Sequence, residues 1–228
     1  MRILGVDTAT WSASVGLVID GTVVAEQSLS TTGNHAASLL PLIEDVLRRA
    51  ACAVRALDAV AVSSGPGSFT GLRVGLSVAK GIACATGARL VDVATLEALA
   101  RTVADRDGVI CPVLDARKGE LYAATFTACA GQLQRLSADA LVTPQELLDR
   151  LPTPCVVLGD AVERYGLLFQ RRLGERVTVL PFETYAPRGG VVALMGWERL
   201  QAGESADLQQ LEPVYIRPSE AEARAIRD

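Results

Sequence analysis

The sequence predicts an α/β fold made of two mixed-sheet domains that repeat one plan. Three observations carry this prediction. The order strand, strand, strand, helix, strand, helix, strand, helix is legible in residues 1–104 and again in residues 109–201. Each repeat opens on an apolar strand that ends in an aspartate, Asp7 in the first and Asp115 in the second. Half of the 228 residues are hydrophobic and 21% are charged. That is the make-up of a globular chain able to bury roughly 70% of its extended surface, in one large or two small cores. An element order that recurs with little residue identity marks an internal repeat.

In the first repeat, residues 2–8 form a short apolar strand. Residues 11–19 alternate loosely through Ala13, Val15, Leu17 and Ile19, and a third strand covers 22–29. Asp20-Gly21 lies between them, and Asp-Gly between apolar runs is a strong hairpin signal. A helix is expected over residues 34–51, with Asn34 as N-cap. Leu39, Leu40, Ile43, Val46 and Leu47 share a stripe at three- and four-residue spacing, with Glu44, Asp45, Arg48 and Arg49 on the other side. Pro41 either kinks this helix or marks the first turn of a later start. A strand over 57–63, a loop over 65–70, a long helix over 71–87, a strand over 89–93 and a helix over 95–104 complete the repeat.

The second repeat has strands over 109–115, 120–128 and 132–136, the last after Gly131. A helix follows over 143–151, where Thr143, Pro144 and Glu146 spell a capping box with proline in the first turn. A strand over 155–158, a helix over 161–173, a strand over 176–180 and a helix over 187–201 follow. No long linker separates the repeats, so the boundary is placed at 107/108, giving a first domain of residues 1–107 and a second of 108–228. The tail, 211–228, has a short strand signal over 213–216 and then a charged stretch read as a loose helix. It is expected to pack back on the first domain.

Composition excludes several functions. Net charge is −4, lysine occurs only at 80 and 118, and aromatics are 4%. Nucleic-acid binders carry a basic patch, and single-strand binders add stacking platforms. Any role with RNA is therefore expected to run through a partner. Cys52, Cys84, Cys111, Cys129 and Cys155 are odd in number and widely spaced, and read as buried reduced thiols rather than a metal framework. With His35 as the one histidine, a two-histidine zinc motif is impossible. No run approaches a membrane span, and the start has too short an apolar stretch for a signal peptide. A cytoplasmic protein is expected.

Five stretches could carry chemistry. Asp7-Thr8-Ala9-Thr10, at the first hairpin, could hold a hydrated cation or approach a phosphate, or simply shape the turn. Ser63-Ser64-Gly65-Pro66-Gly67-Ser68-Phe69-Thr70-Gly71-Leu72-Arg73 follows a strand and opens a helix. It suits an anion at converging N–H groups, or a tight turn that lets helix and strand pack. It is not a P-loop, because no Lys-Ser/Thr follows the last glycine. Gly67, Gly71, Gly75, Ala79 and Ala83 recur every four residues, a smooth face for a second helix, either the chain's own or a partner's. Asp115-Ala116-Arg117-Lys118-Gly119-Glu120-Leu121-Tyr122 is polar and repeats the position of Asp7. Gly159-Asp160 forms a glycine turn between strand and helix, where the Asp160 charge disfavours phosphate. His35, at a helix start where the dipole favours the neutral ring, suits a contact role.

Taken together, Asp7–Thr10, Gly65–Arg73 and Asp115–Tyr122 resemble the bacterial TsaB (YeaZ) family, over residues 1 to about 218. The resemblance implies the duplicated actin-like / sugar-kinase-like (ASKHA, ribonuclease H-like) superfold. It implies a subunit of the machinery that makes threonylcarbamoyladenosine in tRNA: a non-catalytic scaffold that binds the catalytic paralogue TsaD and supports recruitment of the ATPase TsaE. ATP and metal are then expected on the partner subunits, with no intrinsic cofactor, no catalytic residue and no metal ligand here. The catalytic paralogue carries two metal histidines and a Gly-Gly nucleotide turn. This chain has Ala94-Thr95-Leu96-Glu97-Ala98 and Gly159-Asp160-Ala161 at the matching places. By resemblance the interface is formed by the first domain's two long helices, with His35, Leu39, Ser68, Phe69, Thr70, Gly71, Arg73, Gly75 and Ala79 as candidate contacts. The same surface would serve a homodimer when the chain is alone. Asp7, Thr8, Thr10, Asp115 and Gly159 would be a vestigial nucleotide site. The alternative from another class is an ATP-dependent phosphotransferase of the same superfold; a metallopeptidase fails on histidine count.

Overall fold

The structure is a computed structural model and describes residues 1–30 and 35–217. β1 (Arg2–Asp7), β2 (Ser12–Ile19) and β3 (Thr22–Ser30) form an antiparallel meander. The β2–β3 turn has Asp20 at φ 47° and Gly21 at φ 79°, the doubly positive pair that a two-residue hairpin needs. α1 (His35–Arg49) and β4 (Ala59–Gly65) follow, then α2 (Phe69–Thr86), β5 (Arg89–Ala94) and α3 (Thr95–Arg101). β4 and β5 add parallel strands, giving the order β3-β2-β1-β4-β5.

The second half repeats this with two departures, a split strand and an added one. β6 (Gly108–Asp115) pairs with β7 (Leu121–Ala123) at its end and β8 (Phe126–Cys129) at its start. The single strand expected over 120–128 is thus broken at Thr125. Its N–H donates to Ser137 Oγ at 2.9 Å and its carbonyl accepts from Leu136 at 2.8 Å, so neither group is left for the ladder. β9 (Gln132–Arg135) pairs with β8, and β10 (Ala140–Val142), unpredicted, pairs with β7. α4 (Pro144–Arg150) starts in the expected capping box at Thr143 and Glu146. β11 (Cys155–Leu158), α5 (Val162–Leu173), β12 (Val177–Val179) and α6 (Gly189–Gln201) complete the half. Parallel β11 and β12 extend the sheet beside β6.

Strand alternation decides which helix covers which face. From β1, Leu4 and Val6 pack with Leu39, Ile43 and Val46 of α1 and Leu76 and Ala79 of α2. Ile3 points the other way and packs with Val192, Ala193 and Met195 of α6. In the second sheet, Val113 and Val157 face α4 and α5, while Ile110, Leu114 and Phe126 meet Leu96 and Leu99 of α3. The last helix of each half therefore crosses to the other half's sheet. Each fully buried aliphatic side chain contributes about 1.5–3 kcal/mol to these cores. Glycines let α6 come close: a Cβ on Gly5 would stand 2.1 Å from the Gly189 carbonyl oxygen, and one on Gly16 2.2 Å from Gly190 N. Ser14 Oγ and Glu26 Oε1 accept from the Gly189 and Gly190 N–H groups at 2.8 and 2.7 Å, which satisfies the start of the helix.

Several readings are corrected. Leu40 lies outside the buried stripe of α1, which runs through Leu39, Leu42, Ile43, Val46 and Leu47. Pro41 sits inside the helix; Asn34 lies outside the described residues. α2 starts at Phe69, two residues before the expected start, because Ser68 caps it. Residues 213–216 form no strand, and 218–228 lie outside the described residues. Only Cys111 and Cys155 are buried; Cys84 and Cys129 are exposed and Cys52 is half-buried. Burial pushes the Cys155 thiol up to about 11. Among the described residues no helix is long and apolar enough to cross a membrane.

Candidate functional site

The loop from β4 to α2 rests on the β1–β2 turn. A Cβ on Gly67 would stand 2.5 Å from the Ala9 carbonyl oxygen, and the Ser68 N–H donates to that same oxygen at 2.7 Å. A Cβ on Gly71 would stand 2.0 Å from the Thr8 carbonyl oxygen, and one on Gly75 2.2 Å from Thr8 Oγ1. Thr8 Oγ1 in turn donates to the Gly71 carbonyl at 2.8 Å. The small-residue face of α2 is thus the chain's own packing surface. Gly71, Gly75 and Ala79 are buried, which corrects their placement among partner contacts.

His35 and Leu39 are corrected in the same way. Leu39 is fully buried and His35 nearly so. Burial holds the His35 pKa below its ordinary value, against a hydrogen bond to the Thr10 backbone. The ring therefore ties the start of α1 to the first turn. Ser68, Phe69, Thr70 and Arg73 are exposed at the head of α2. Arg73 lies 3.9 Å over the Phe69 ring, an attraction of the cation–π kind.

The candidate nucleotide residues divide into two clusters. In the first half Asp7 is fully buried; its carboxylate accepts from Ser63 Oγ and, at 3.2 Å, from the Ala9 N–H. Desolvation outweighs those bonds and pushes its pKa up to about 6. Thr10 Oγ1 accepts from the Ser12 N–H at 3.2 Å, so it shapes the turn. In the second half the Asp115 N–H donates to Asp160 Oδ1 at 2.8 Å. The Asp115 carboxylate accepts from the Arg117 N–H at 2.8 Å and pairs with its guanidinium. Burial pushes Asp160 up to about 6 as well. Gly159, at φ 112°, is pressed against the Val113 carbonyl, which a Cβ would meet at 2.1 Å. The residues present do not fit a nucleotide phosphate. The close backbone approaches of Gly65, Gly67, Gly71 and Gly159 are all filled by this chain, and a carboxylate stands at the second turn. Among the described residues no group of three His, Cys, Asp or Glu could hold a metal ion.

The outward surface of α1 and α2 is different. Leu40 is 56% exposed and Val54 40%. With Val78, Gly81, Ile82 and Ala85 they line an open groove of about 420 Å³ between the two helices. Sequence reasoning missed this row, although Val74, Val78 and Ile82 recur every four residues beside the glycine row. A second cavity, of about 440 Å³, lies between β3 and residues 182–188, beside Trp11, whose ring packs tilted against Phe182 with centroids 4.7 Å apart. Asp7, Thr8, Thr10, Asp115 and Gly159 do not line it.

The chain is similar to known proteins over most of its length. The family model described as TsaD, tRNA N6-adenosine threonylcarbamoyltransferase, matches residues 22–224. A Bacillus subtilis protein named tRNA threonylcarbamoyladenosine biosynthesis protein TsaB is 31% identical, covering 99% of this chain and 98% of that one. The solved structure of YeaZ from Pseudomonas aeruginosa superposes with a TM-score of 0.78 at 26% identity, covering 94% of this chain and 99% of that one. An inorganic polyphosphate/ATP-glucomannokinase from Arthrobacter reaches a TM-score of 0.50 at 13% identity, covering 88% of this chain and 99% of that one. That last likeness concerns the fold alone and makes it the duplicated actin-like, sugar-kinase-like one. Matched by the family model over most of its length, and by TsaB and YeaZ from end to end, the chain belongs to the TsaB (YeaZ) family.

Proposed function

We propose that this chain serves tRNA threonylcarbamoyladenosine biosynthesis as a non-catalytic scaffold. In this reading α1 and α2 dock a TsaD-like catalytic paralogue, and the pair supports a TsaE-like ATPase. The observation that carries it is the apolar groove between Leu40, Val54, Val78 and Ile82; Phe69 and Arg73 are exposed on the same helix, at the head of α2. Exposed Leu40 and Val54 beside half-buried Val78 and Ile82, with Arg55 on the same lining, have the make-up of a small protein-interface core. The same face would pair two copies when the chain is alone. ATP and metal act on the partner subunits, and the net charge of −4 suits a subunit that meets tRNA indirectly. The filled glycine approaches at both turns weigh against the phosphotransferase alternative.

The test is reconstitution. The partner subunits, with threonine, bicarbonate, ATP and tRNA, are assayed for modified tRNA with and without this chain. Modification is expected to depend on it, and full activity in its absence would overturn the reading. Calorimetry of the isolated chain with ATP and magnesium is expected to show no stoichiometric binding; tight binding would favour the phosphotransferase.

A further inference from the structure

Open α/β sheets take their ligands in the crevice outside the carboxyl ends of their strands. In this chain that place holds part of the chain itself. After α6 the backbone runs along β5, where the Ala206 N–H donates to the Leu90 carbonyl at 2.8 Å. Leu208 and Leu211 then pack on the first core, and the chain reaches the ends of β4 and β6.

Residues 213–217 touch both halves in turn. The Val214 N–H donates to the Ser64 carbonyl at 2.7 Å, at the end of β4. The Val214 carbonyl sits where Gly65 has no side chain: a Cβ there would stand 2.5 Å from the oxygen, and Gly65 has a φ of 130°. The Tyr215 ring stacks on Phe69 at 4.8 Å, and its hydroxyl accepts from Arg73 Nε at 2.9 Å. Ile216 packs against the cluster that contains Leu114, Ala116 and Tyr122. Arg217 donates to the Ala116 carbonyl and pairs with the Glu120 carboxylate, both just past the end of β6.

We propose that residues 213–217 are a built-in peptide ligand of this crevice, bound across the carboxyl ends of β4 and β6 so that it latches the two halves together there. Recognition has three parts of different chemistry: a main-chain hydrogen bond that needs glycine at 65, an aromatic stack at 215 and an ion pair at 217. Gly65, which the sequence offers as half of an anion cradle, is on this reading a glycine because a carbonyl of the tail lies on it. The proposal uses no lining residue of the α1–α2 groove, but it engages Phe69 and Arg73, which the scaffold reading sets beside the partner face; the exchange test needs no partner, so the two readings fail separately.

Three forms of the full protein test it by hydrogen exchange: the whole chain, a chain ending at Arg217, and a chain ending at Glu212. Loss of 213–217 is expected to speed exchange about tenfold or more in peptides covering 63–69 and 115–121, with β1 and β2 unchanged, because the two ends open locally without global unfolding. Ending at Arg217 should change neither peptide. A synthetic peptide of sequence Glu-Pro-Val-Tyr-Ile-Arg, added to the shortest chain, is expected to restore protection saturably at both places. A peptide with Tyr215→Ala and Arg217→Ala should bind about tenfold or more weakly, a loss of about 1.4 kcal/mol. If the shortest chain does not fold, the same two substitutions in the whole chain replace it, with the same readout. Equal exchange with and without 213–217, a rise at only one of the two places, or a peptide that restores nothing would overturn the latch.

Discussion

In the first half the aspartate that ends β1 is sealed in, bonded to Ser63 and to the Ala9 N–H. In the second half the aspartate that ends β6 bonds Arg117 at a hairpin where Arg117, Lys118 and Gly119 all have positive φ. The helices differ in step. α2 lies close on the first turn through Gly71 and Gly75, whereas in α5 a Cβ on Gly166 would meet side chains alone, Val179 at 3.1 Å and Val162 at 3.8 Å. One plan has therefore been put to two uses. Close packing in the first half turns the glycine row inward and leaves Val74, Val78 and Ile82 half-buried beside it. The looser, charged turn of the second half takes Arg217 of the tail, while Val214 and Tyr215 lie on the first half. Duplication of a fold fixes where the turns are, not what they bind.

The contrast breaks most readily at the helix glycines. Gly71→Ala drives a Cβ into the Thr8 backbone carbonyl, which cannot swing aside as a side chain can, and should cost about 3 kcal/mol or more. Gly166→Ala asks a valine to give a few tenths of an ångström and should stay within about 1 kcal/mol. Denaturant unfolding of both variants measures the difference. Equal losses would show that the two helices are held alike. Gly75→Leu, which pushes against Thr8 Oγ1 at 2.2 Å, should likewise act on stability before it acts on any partner.

The buried carboxylates give the next effect, and it has a sign. The folded-state pKa of Asp7 is about 6, above the 3.8 of a free aspartate side chain, so between those values the folded state holds the proton that the unfolded state releases. Stability from this group is therefore greatest below pH 4, falls as pH rises toward 6, and is level above that. The span is about 3 kcal/mol. Asp7→Asn lacks the charge and keeps an acceptor for the Ala9 N–H. Its stability relative to the parent should rise by about 2–3 kcal/mol from pH 4 to pH 7. Asp160→Asn should move in the same direction, since burial also raises Asp160 to about 6. Unfolding free energies of parent and variants at the two pH values check both, and parallel curves would mean that the carboxylates are solvated.

Third in size is the docking face. Leu40→Asp places a charge on an exposed position of the groove, and should weaken TsaD-like partner binding about 10- to 100-fold, or 1.4–2.8 kcal/mol. Stability should change by less than about 0.5 kcal/mol. Leu167 on α5 is more exposed still, at 69%, yet lies outside the groove, so Leu167→Asp should leave binding unchanged. Titration calorimetry with the partner separates the two; equal weakening would detach docking from the first half.

What was legible in the sequence follows the range of the interactions involved. The hairpin at Asp20-Gly21, the capping box at Thr143 and the element order of the first half rest on neighbours a few residues apart, and they appear in the structure as read. The break at Thr125 depends on residues 136 and 137, so local alternation ran straight through it. The exchange of α3 and α6 was hidden because periodicity tells which face of a helix is buried and not which sheet buries it. The row Gly71, Gly75, Ala79 was seen as a smooth face, but its occupant, Thr8, is 63 residues from Gly71. The tail offers a strand signal over 213–216 and a place on the first domain, but not the partners of Tyr215 and Arg217, because residues 73 and 120 lie about a hundred residues or more away.

The smallest difference between the halves lies in the helix caps. Thr143 accepts from the Glu146 N–H at 3.2 Å while Glu146 Oε2 accepts from the Thr143 N–H at 2.8 Å, so the start of α4 is closed from both sides. Ser68 accepts from the Gly71 N–H at 3.3 Å, and the Thr8 contacts already hold the first turn of α2 in place. Thr143→Ala removes one side of a reciprocal pair and leaves a Glu146 carboxylate whose pKa its bonds to Thr143 hold below the ordinary value. It should cost about 1 kcal/mol. Ser68→Ala should cost about 0.5 kcal/mol, at the low end for caps, because the Ser68 N–H to Ala9 bond survives the change. Thermal unfolding of the two variants ranks them. A larger loss at Ser68 would mean that α2 depends on its cap and not on the close approach of Thr8 that sets the first half apart.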